Sequence, residues 1–517
     1  MSSLWPSLSQ LLDEPRSRHP DKLAVATSDR QLSYAELDDL ARRLAASFAD
    51  AGLAGQRVAT LLPNGIELIV CYLACWRAGV TMVPFEYVDA PPEISYGLAD
   101  SESRWLIVHH EKLADLERVE VAKSAVERVF VACGEPRPGD ARFDDLLAAT
   151  PRELPPVDPA TLAFILYTSG STALPKGVTH SHASAAGIVR SVLAALRRVG
   201  EESLIVAHDS VSHMGGWIQA FPLLARGATV VLEKEFDAAR FVPNLQRWRP
   251  TVLGAHVDHL WQIVRASGAK REDFASLDTV FTGGDELPLA LQRAFMDLAG
   301  KPIEVGWGMT EAIWLTITRR VELERRGYMG VPVDEVELRV VDVNPNRFGA
   351  DAATGEAGEL WVRGPMVSPG YWRRPQADQE VFVDRWLRTG DMGLRDERGE
   401  YWFTGRLKQI IERNSENITP GEIEQALYRH PAVAEAGAFG VPDPDEGQVP
   451  IAYVSFKEGA SASEDELKSF LATQIAEFKI PVRILPIERI PLTHSGKIDH
   501  KALAERYAAT VGASAQR

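Results

Sequence analysis

The chain has 517 residues, of which 45% are hydrophobic, and its formal net charge is −16 at pH 7. This length predicts roughly two to four domains, and the apolar fraction is sufficient for large cores. The acidic balance argues against nucleic acid or an anionic membrane surface as the main partner, because both bind concentrated Lys and Arg.

The sequence predicts a cytoplasmic protein. Residues 1–6 contain no basic segment followed by an apolar core, and the longest apolar stretch, 66–76, is too short to span a bilayer. The cysteines Cys71, Cys75 and Cys133 lack the spacing of metal ligands, and the first two fall on one face of a helix. Buried, reduced thiols are therefore expected.

Helical and strand patterns alternate over residues 5–150 and again over 204–309. The pattern predicts a helix at 34–51 and strands at 57–62 and 162–166. Further strands are predicted at 228–232, 251–255 and 279–284, each ending in a possible ligand loop. Such alternation predicts a parallel sheet with helices on its faces.

The pattern changes in the last third of the chain. From Gly330 short strands and turns follow one another, among them 337–341 and 358–362, which predicts a β-rich subdomain. After Gly405 the pattern predicts helices at 420–430 and 464–475 and strands at 435–440 and 451–456. A compact α+β domain of about a hundred residues fits this part.

A loop rich in hydroxyl groups follows the predicted strand at 162–166. Residues 167–177 read Tyr-Thr-Ser-Gly-Ser-Thr-Ala-Leu-Pro-Lys-Gly. Backbone N–H groups and hydroxyls at a strand end can converge on an anion, so this composition predicts a phosphate-binding loop. It is not a Walker P-loop, because Gly-Lys-[Ser/Thr] is missing at the required spacing. Alone, such a stretch is more typical of a surface linker.

Further motifs occur in order along the chain. They are Gly306-Trp307-Gly308-Met309-Thr310-Glu311, Thr389-Gly390-Asp391, Gly405-Arg406-Leu407-Lys408, and Pro-Leu-Thr-His-Ser-Gly-Lys-Ile-Asp at 491–499. With the loop at 167–177, they resemble the adenylate-forming superfamily of acyl-CoA synthetases, luciferases and peptide-synthetase adenylation domains. The resemblance covers nearly the whole chain and is strongest to acyl-CoA synthetases.

The resemblance implies an α/β fold in two parts. Residues 1–407 form a large N-terminal domain of helix-flanked sheets with a β-rich subdomain, which binds ATP and the acid. Residues 408–517 form a small mobile α+β domain with a catalytic lysine, and Lys408 is the hinge. The implied function is activation of a carboxylic acid as acyl-AMP, with release of pyrophosphate, followed by thioester formation with CoA.

The first step brings two anions together, so placement and positive charge are most of the catalytic task. The resemblance implies that Trp307 stacks on adenine, Asp391 and Arg406 contact the ribose, and Glu311 binds Mg²⁺, a hard cation that prefers oxygen ligands. The complete implied ATP-binding set is Thr168, Ser169, Gly170, Ser171, Thr172, Lys176, Gly284, Asp285, Trp307, Thr310, Asp391, Arg406 and Lys497.

The implied catalytic residues are Lys497, His213 and Thr310. Lys497 reaches the acyl carboxylate and the α-phosphate, and His213 lies beside the acyl pocket. The residues implied to line that pocket are His213, Trp217, Ile313, Trp314 and Leu315. The bulk of Ile313 and Trp314 is expected to shorten or reshape the cavity.

The chain departs from the family pattern at two places. Ala173 replaces a usual glycine in the phosphate loop, and Asn414-Ser415 replaces a Gly-Gly pair at the implied CoA passage. Both changes add side-chain atoms and restrict positive φ. The departure at 414–415 argues against thioester formation, whereas Lys479 and its surroundings resemble CoA-using members.

We predict an enzyme that uses ATP, Mg²⁺ and CoA with a small carboxylic acid. One alternative is an adenylating enzyme that passes the acyl group to a carrier-protein thiol or an amine. Another is a nucleotide- or acyl-binding protein without turnover. CoA-dependent release of AMP separates the first alternative, and ATP–pyrophosphate exchange separates the second. The sequence does not name the acid or the oligomeric state.

Overall fold

The computed structural model describes residues 7–168, 175–284, 286–344, 347, 349–413, 416–443, 446–492 and 498–514. The predicted site residues Ser169, Gly170, Ser171, Thr172, Asp285, Asn414, Ser415 and Lys497 lie outside these ranges, as does Ala173. The other predicted site residues are described.

The described residues 7–146 contain seven strands and six α-helices. The strands are β1 (Leu23–Ala26), β2 (Gln31–Ser33), β3 (Arg57–Leu61), β4 (Thr81–Pro84), β5 (Trp105–His109), β6 (Arg128–Ala132) and β7 (Ala141–Arg142). The helices are α1 (Asp13–Arg18), α2 (Tyr34–Asp50), α3 (Ile66–Ala78), α4 (Pro91–Ser101), α5 (Leu113–Leu116) and α6 (Phe143–Leu146). A capping box starts α2, where Ser33 Oγ accepts from Glu36 N and Glu36 Oε2 accepts from Ser33 N.

The central part contains the predicted phosphate loop and the ligand loops. Its strands are β8 (Leu162–Thr168), β9 (Lys176–Ser181), β10 (Leu204–Ala207), β11 (Thr229–Leu232), β12 (Val252–Gly254), β13 (Thr279–Gly283), β14 (Glu304–Met309) and β15 (Ala312–Ile317). Its helices are α7 (His182–Ala195), α8 (Met214–Ala225), α9 (Ala238–Trp248), α10 (Val257–Ala266) and α11 (Leu289–Ala299).

The last part contains two further groups of elements. The first is β16 (Tyr328–Pro332), β17 (Glu337–Val341), β18 (Gly358–Arg363), β19 (Gly370–Tyr371), α12 (Pro375–Val381), β20 (Phe382–Val383), β21 (Trp386–Arg395) and β22 (Tyr401–Arg406). The second is β23 (Ile411–Arg413), β24 (Glu416–Ile418), α13 (Pro420–Tyr428), β25 (Val433–Asp443), β26 (Gly447–Phe456), α14 (Glu464–Leu471), β27 (Arg483–Pro486) and α15 (His500–Ser514).

These strands form three sheets. The largest has the order β17-β18-β21-β22-β16-β15-β14-β13-β12-β10-β11-β1-β2, with β20 beside β21. The second has the order β19-β9-β8-β4-β3-β5-β6-β7, and the third, near the C-terminus, has the order β24-β23-β26-β25 with β27 beside β26. A shared core contains residues from the first two sheets and the helices between them, among them Phe164 on β8, Leu232 on β11 and Trp217 on α8.

The predicted α/β fold class is confirmed, with large sheets in the N-terminal part and a smaller α+β part at the C-terminus. The predicted β-rich region after Gly330 exists, but its strands are not a separate sheet. The antiparallel strands β17, β18, β21 and β22 extend the largest sheet through β16, because β16 pairs with both β15 and β22. A strand can form hydrogen bonds along both of its edges, so β16 joins the parallel and the antiparallel parts of this sheet.

Two local predictions need correction. The second helix of the C-terminal part ends at Leu471 instead of residue 475, because after the C-cap Ala472 the N–H groups of Thr473 and Gln474 donate to carbonyls three residues back, which forms turns instead of α-helix. Cys71 and Cys75 are buried on α3 as predicted, but Cys133 is exposed. Cys133 follows β6 in a positive-φ position, at φ 62°, which directs the chain into a surface turn.

The small C-terminal part contacts strand β22 of the largest sheet. Helix α13 lies against β22, where Gln425 Nε2 donates to the Phe403 carbonyl over 3.3 Å. A Cβ at Gly421 would come within 2.2 Å of the Thr404 carbonyl oxygen, so glycine permits this approach. Across the parts of the chain that the structure describes, no helix has both the length and the apolar character needed to cross a bilayer.

Candidate functional site

The candidate site lies where several parallel strands end. Strands β10, β12, β13 and β14 are parallel neighbours in this order. Asp209 and His213 follow β10, His256 follows β12, Gly284 follows β13, and Thr310 follows β14. Ligands bind to open α/β sheets at the carboxyl ends of the strands, so this edge is the expected place for a substrate.

The two large sheets meet at a cavity beside this edge. Thr168 from the second sheet and His213 and Thr310 from the first line it together. Glu86 and Asp89, which follow β4, form another part of its wall. Predicted site residues that are far apart in sequence therefore converge in space, at the end of the predicted phosphate loop.

The two ends of the phosphate loop are fixed by strand pairing. Thr168 on β8 pairs with Lys176 on β9 in antiparallel register. The ammonium group of Lys176 lies 5.0 Å from the centre of the Tyr371 ring, a cation–π contact. The loop that joins these residues therefore begins and ends beside the cavity and beside Tyr371.

Tyr371 also holds the predicted metal ligand. Its hydroxyl donates to Glu311 Oε1 over 2.6 Å, and the Glu311 carbonyl accepts from Ser368 N over 2.7 Å. Burial and the Glu311 charge raise the pKa of Tyr371, so the phenol stays protonated and keeps donating. Glu311 is buried, and no Lys or Arg within the described ranges forms an ion pair with it. A buried carboxylate with a neutral partner fits a hard cation such as Mg²⁺.

Thr310 is positioned by a buried histidine. His180 Nε2 lies 2.8 Å from the Thr310 carbonyl oxygen. Burial lowers the pKa of His180 to about 4, so the ring is neutral at neutral pH and its Nε2–H donates to that carbonyl. Two adjacent residues, Thr310 and Glu311, are thus held at one strand end by separate side chains.

Trp307, Asp391 and Arg406 are predicted to contact adenine and ribose, and the first and last of them both bind the Asp391 carboxylate. Trp307 Nε1 donates to Asp391 Oδ2 over 2.9 Å, and Arg406 Nε lies 2.7 Å from Asp391 Oδ1. Burial raises the pKa of Asp391, while Arg406 and Trp307 oppose this shift. Each carboxylate oxygen can accept more than one hydrogen bond, so ribose hydroxyls can still donate to Asp391.

His213 begins helix α8. Its Nδ1 accepts from Gly215 N over 3.2 Å, which makes it the N-cap of the helix. Burial lowers the pKa of His213, so its imidazole is neutral at neutral pH. The ring is held at the cavity wall by its own helix, with Thr168 and Thr310 on the same cavity.

The other predicted acyl-pocket residues are packed more deeply. Trp217 is fully buried, and its ring centre lies 5.5 Å from Phe164 and 5.2 Å from Phe221. Trp314 and Leu315 are also buried, whereas Ile313 is partly exposed. The Trp314 ring covers Gly306, where a Cβ would lie 1.9 Å from it. Whether these residues contact the acid stays a prediction.

The sequence did not single out several residues at this edge. The main group is Asp209, His256 and His259, in which Asp209 is buried and accepts from His259 Nδ1 over 2.9 Å. His256 Nε2 lies 3.7 Å from the same carboxylate. His256 directly follows the predicted strand at 251–255, so a polar residue after a strand end was the available signal for it, whereas no strand was predicted before Asp209. Tyr371 gave no comparable signal.

Asp89 gives the cavity wall a measurable pH dependence. Burial and the neighbouring Glu86 raise the pKa of Asp89 to about 7. Because the pKa in the folded protein exceeds the value of about 3.9 for an unfolded chain, ionisation of Asp89 destabilises the fold. This contribution is absent near pH 4 and grows as the pH rises towards 7.

We therefore expect Asp89→Asn to raise the melting temperature at pH 8 by about 2 °C, the size of a change of roughly 1 kcal/mol in a large domain. Near pH 4 the variant and the wild type should melt together. Asp115→Asn is the control, because Lys112 lowers the pKa of Asp115. Removing this carboxylate should therefore not raise the melting temperature at pH 8. An equal shift at both pH values would contradict the assignment.

The comparisons with known proteins agree with this geometry. Residues 12–372 match the AMP-binding enzyme family, and residues 422–497 match the AMP-binding enzyme C-terminal domain. The chain therefore belongs to the AMP-binding enzyme family, and the resemblance to adenylate-forming enzymes is confirmed. The predicted boundary between 407 and 408 falls between the two matched ranges and stays a prediction.

Two relatives are similar over almost their full lengths. A feruloyl-CoA synthase from Amycolatopsis sp is 33% identical over 484 residues, which cover 93% of this chain and 94% of the relative. An indoleacetate–CoA ligase from Aromatoleum aromaticum is 32% identical over 500 residues, covering 95% and 96%. Among solved structures, the amide bond synthetase McbA from Marinactinospora thermotolerans has a TM-score of 0.83 at 28% identity, covering 97% and 99%. The predicted class, an AMP-forming acid–thiol ligase, is confirmed.

Proposed function

We propose that this protein converts a monocarboxylic acid to its CoA thioester through an acyl adenylate, in the cytoplasm. The observation that carries the proposal is the convergence of Thr168, His213 and Thr310 on one cavity, with Glu311 held beside it. The relatives named above add the acceptor and the kind of acid. Their names indicate CoA and acids with an aromatic body.

In the first step an oxygen of the acid attacks the α-phosphorus of ATP, and the bond to pyrophosphate breaks. The loop between Thr168 and Lys176 binds the outer phosphates, Thr310 contacts the α-phosphate, and Lys497 stabilises the developing charge. Glu311 would hold Mg²⁺, which would supply positive charge to the phosphates. Asp391, with Trp307 and Arg406, orients the nucleoside.

In the second step the sulfur of CoA attacks the acyl carbon. The bond between this carbon and the AMP oxygen breaks, the thiol loses its proton, and AMP leaves with the bonding electrons. His213 lies at the cavity that holds the reacting carbonyl and orients it. The Asn414-Ser415 segment lines the CoA passage in this proposal.

The charge of the cavity supports an acid with a single carboxylate. Glu86 and Asp89 belong to its wall, and no Lys or Arg occurs among the described residues that line it. A second negative charge on the acid would lose its hydration without gaining a partner, which is costly. We therefore propose a monoanionic acid.

An amine is the second candidate acceptor. Its support is the similarity to an amide bond synthetase and the departure from glycine at Asn414-Ser415. The experiment is a pyrophosphate-release screen over aromatic, aliphatic and dicarboxylic acids, with CoA, with simple amines, and with neither. CoA-stimulated AMP release with monocarboxylic acids supports the proposal. Stimulation by amines alone would make an amine the acceptor instead of CoA, and no pyrophosphate release with any acid would refute adenylation.

The two half-reactions require different groups from the same small domain. Lys497 and the Asn414-Ser415 segment are more than eighty residues apart, and the family resemblance assigns them to different steps at one site. We propose that the C-terminal part rotates about Lys408, which lies in a short 3₁₀ turn, Leu407–Gln409, directly after β22. In the structure α13 lies against β22, so this contact would have to break during rotation.

We expect Lys408→Pro to retain ATP–pyrophosphate exchange but to lower CoA-dependent product formation at least about tenfold, a change of roughly 1.4 kcal/mol in the barrier. Proline fixes φ near −65° and restricts the preceding residue, so it removes the torsional freedom that rotation needs. Lys408→Ala removes the same side chain and keeps that freedom, so it is the control. Wild-type product formation by the proline variant would show that rotation does not occur here.

A further inference from the structure

His256 occupies a strand end between two assigned positions. It follows β12, which pairs with β10 and β13. His213 and Gly284 lie after the ends of these two strands, at the same edge of the sheet. The imidazole lies between two glycines: a Cβ at Gly215 would come within 2.8 Å of His256 Nε2, and a Cβ at Gly284 would lie 3.8 Å from Nδ1. The glycine at position 215 therefore leaves room for the Nε2 side of this ring, where a side chain would clash.

A buried carboxylate fixes one side of this ring. Asp209 is 4% exposed and accepts from Gln219 Nε2 and His259 Nδ1, over 2.5 and 2.9 Å. Its distance to His256 Nε2 is 3.7 Å. Burial acts to raise the pKa of Asp209, but His256, His259 and His208 outweigh it and hold the pKa below its ordinary value. The carboxylate therefore stays charged and orients the Nε2 side of His256 towards itself.

The other side of His256 points away from Asp209. The side chain is 34% exposed, against 18% for His259, which is stacked on Phe236 at 4.3 Å. His256 Nδ1 forms no hydrogen bond with any residue that the structure describes, although its ring centre lies only 6.2 Å from that of His213. Nδ1 of His256 is therefore available to a ligand beside His213, which lines the cavity.

We propose that His256 is a specificity-determining residue that hydrogen-bonds a polar substituent on the body of the acid, and that Asp209 is its positioning residue. This inference rests on the proposed function. The acid that it predicts carries an uncharged hydrogen-bonding group, such as a hydroxyl or a ring N–H, at a distance from its carboxylate. A site that is built to hydrogen-bond such a group rejects analogues without it, because its own polar atom is then left unpaired.

The test compares matched acids that differ only in this group. The pairs are coumarate with cinnamate, indoleacetate with naphthaleneacetate, and a hydroxylated straight-chain acid with its parent. The measured quantity is the ratio of kcat/KM within each pair, from ATP–pyrophosphate exchange. We expect the wild type to prefer the polar member of at least one pair by about tenfold, and His256→Ala to bring this ratio close to one.

Three further variants separate specificity from damage to the fold. His256→Gln retains a hydrogen-bonding group and should recover part of the preference. Asp209→Asn should reduce the preference by a smaller factor, about threefold, because the ring loses its charged partner. His259→Gln is the matched control, since His259 binds the same carboxylate but is stacked on Phe236. It should lower the melting temperature without changing the ratio.

Several outcomes would overturn the inference. They are a wild type that treats both members of every pair alike, a ratio that His256→Ala leaves unchanged, and a ratio that His259→Gln changes as much. Failure of the proposed function has a different signature. In that case folded wild-type protein gives no exchange with any acid, polar or apolar.

Discussion

Replacing Lys497 by Ala is expected to abolish adenylation and to leave the use of supplied acyl-AMP largely intact. An ammonium group that faces the developing charge on phosphorus acts only in the first step. Losing such a contact typically costs on the order of a hundredfold or more in rate. Lys497 lies outside the described residues, so this role depends on its motif and on the family to which the chain belongs.

The two half-reactions can be measured separately. ATP–pyrophosphate exchange reports the first step, and CoA-dependent AMP release from synthetic acyl-AMP reports the second. Lys501→Ala is the control, because Lys501 is a nearby exposed lysine whose ammonium lies 3.8 Å from Glu505. It should leave both rates unchanged. If Lys497→Ala slows both steps equally, the lysine does not have a role confined to adenylation.

The sequence predicted those parts of the fold that depend on local pattern. Helix α2 begins at Tyr34, after the Ser33 cap, and the phosphate loop follows β8, because capping and apolar periodicity are encoded in neighbouring residues. It did not predict that the strands after Gly330 extend the largest sheet. That outcome depends on the pairing of β16 with β22, whose sequence separation leaves no local signal.

The candidate site was also predicted only where a local motif marks its residues. Motifs identified the residues at the strand ends, such as Thr310 and Glu311. They did not identify the side chains that hold them, because Tyr371 reaches Glu311 and His180 reaches Thr310 from other elements. These contacts follow from the packing of the sheets against one another. His256 and Asp209 were missed for this reason also, since each is ordinary until the edge of the sheet brings them together.

The hydrogen bond between Tyr371 and Glu311 allows the metal role to be tested by two graded changes. Glu311→Gln keeps the size of the side chain and an oxygen that can accept from the Tyr371 hydroxyl, so the fold should be preserved. It removes the negative charge. Tyr371→Phe retains the charge but removes the hydroxyl that fixes Glu311 Oε1. The first change therefore affects the ligand itself, and the second affects only its position.

We expect Glu311→Gln to lower turnover on the order of a hundredfold and to shift the Mg²⁺ dependence to higher concentrations, because a neutral amide is a much weaker ligand for a hard cation. Tyr371→Phe should cause a loss of about tenfold and a smaller shift in the same direction.

The measurement is a Mg²⁺ titration of ATP–pyrophosphate exchange, with thermal melting in the presence and absence of MgATP. Wild-type protein should be stabilised by MgATP, and Glu311→Gln much less so. Titration curves for Glu311→Gln that superimpose on the wild type would exclude a ligand role. A larger loss from Tyr371→Phe than from Glu311→Gln would make the phenol, and not the carboxylate, the group that matters at this strand end.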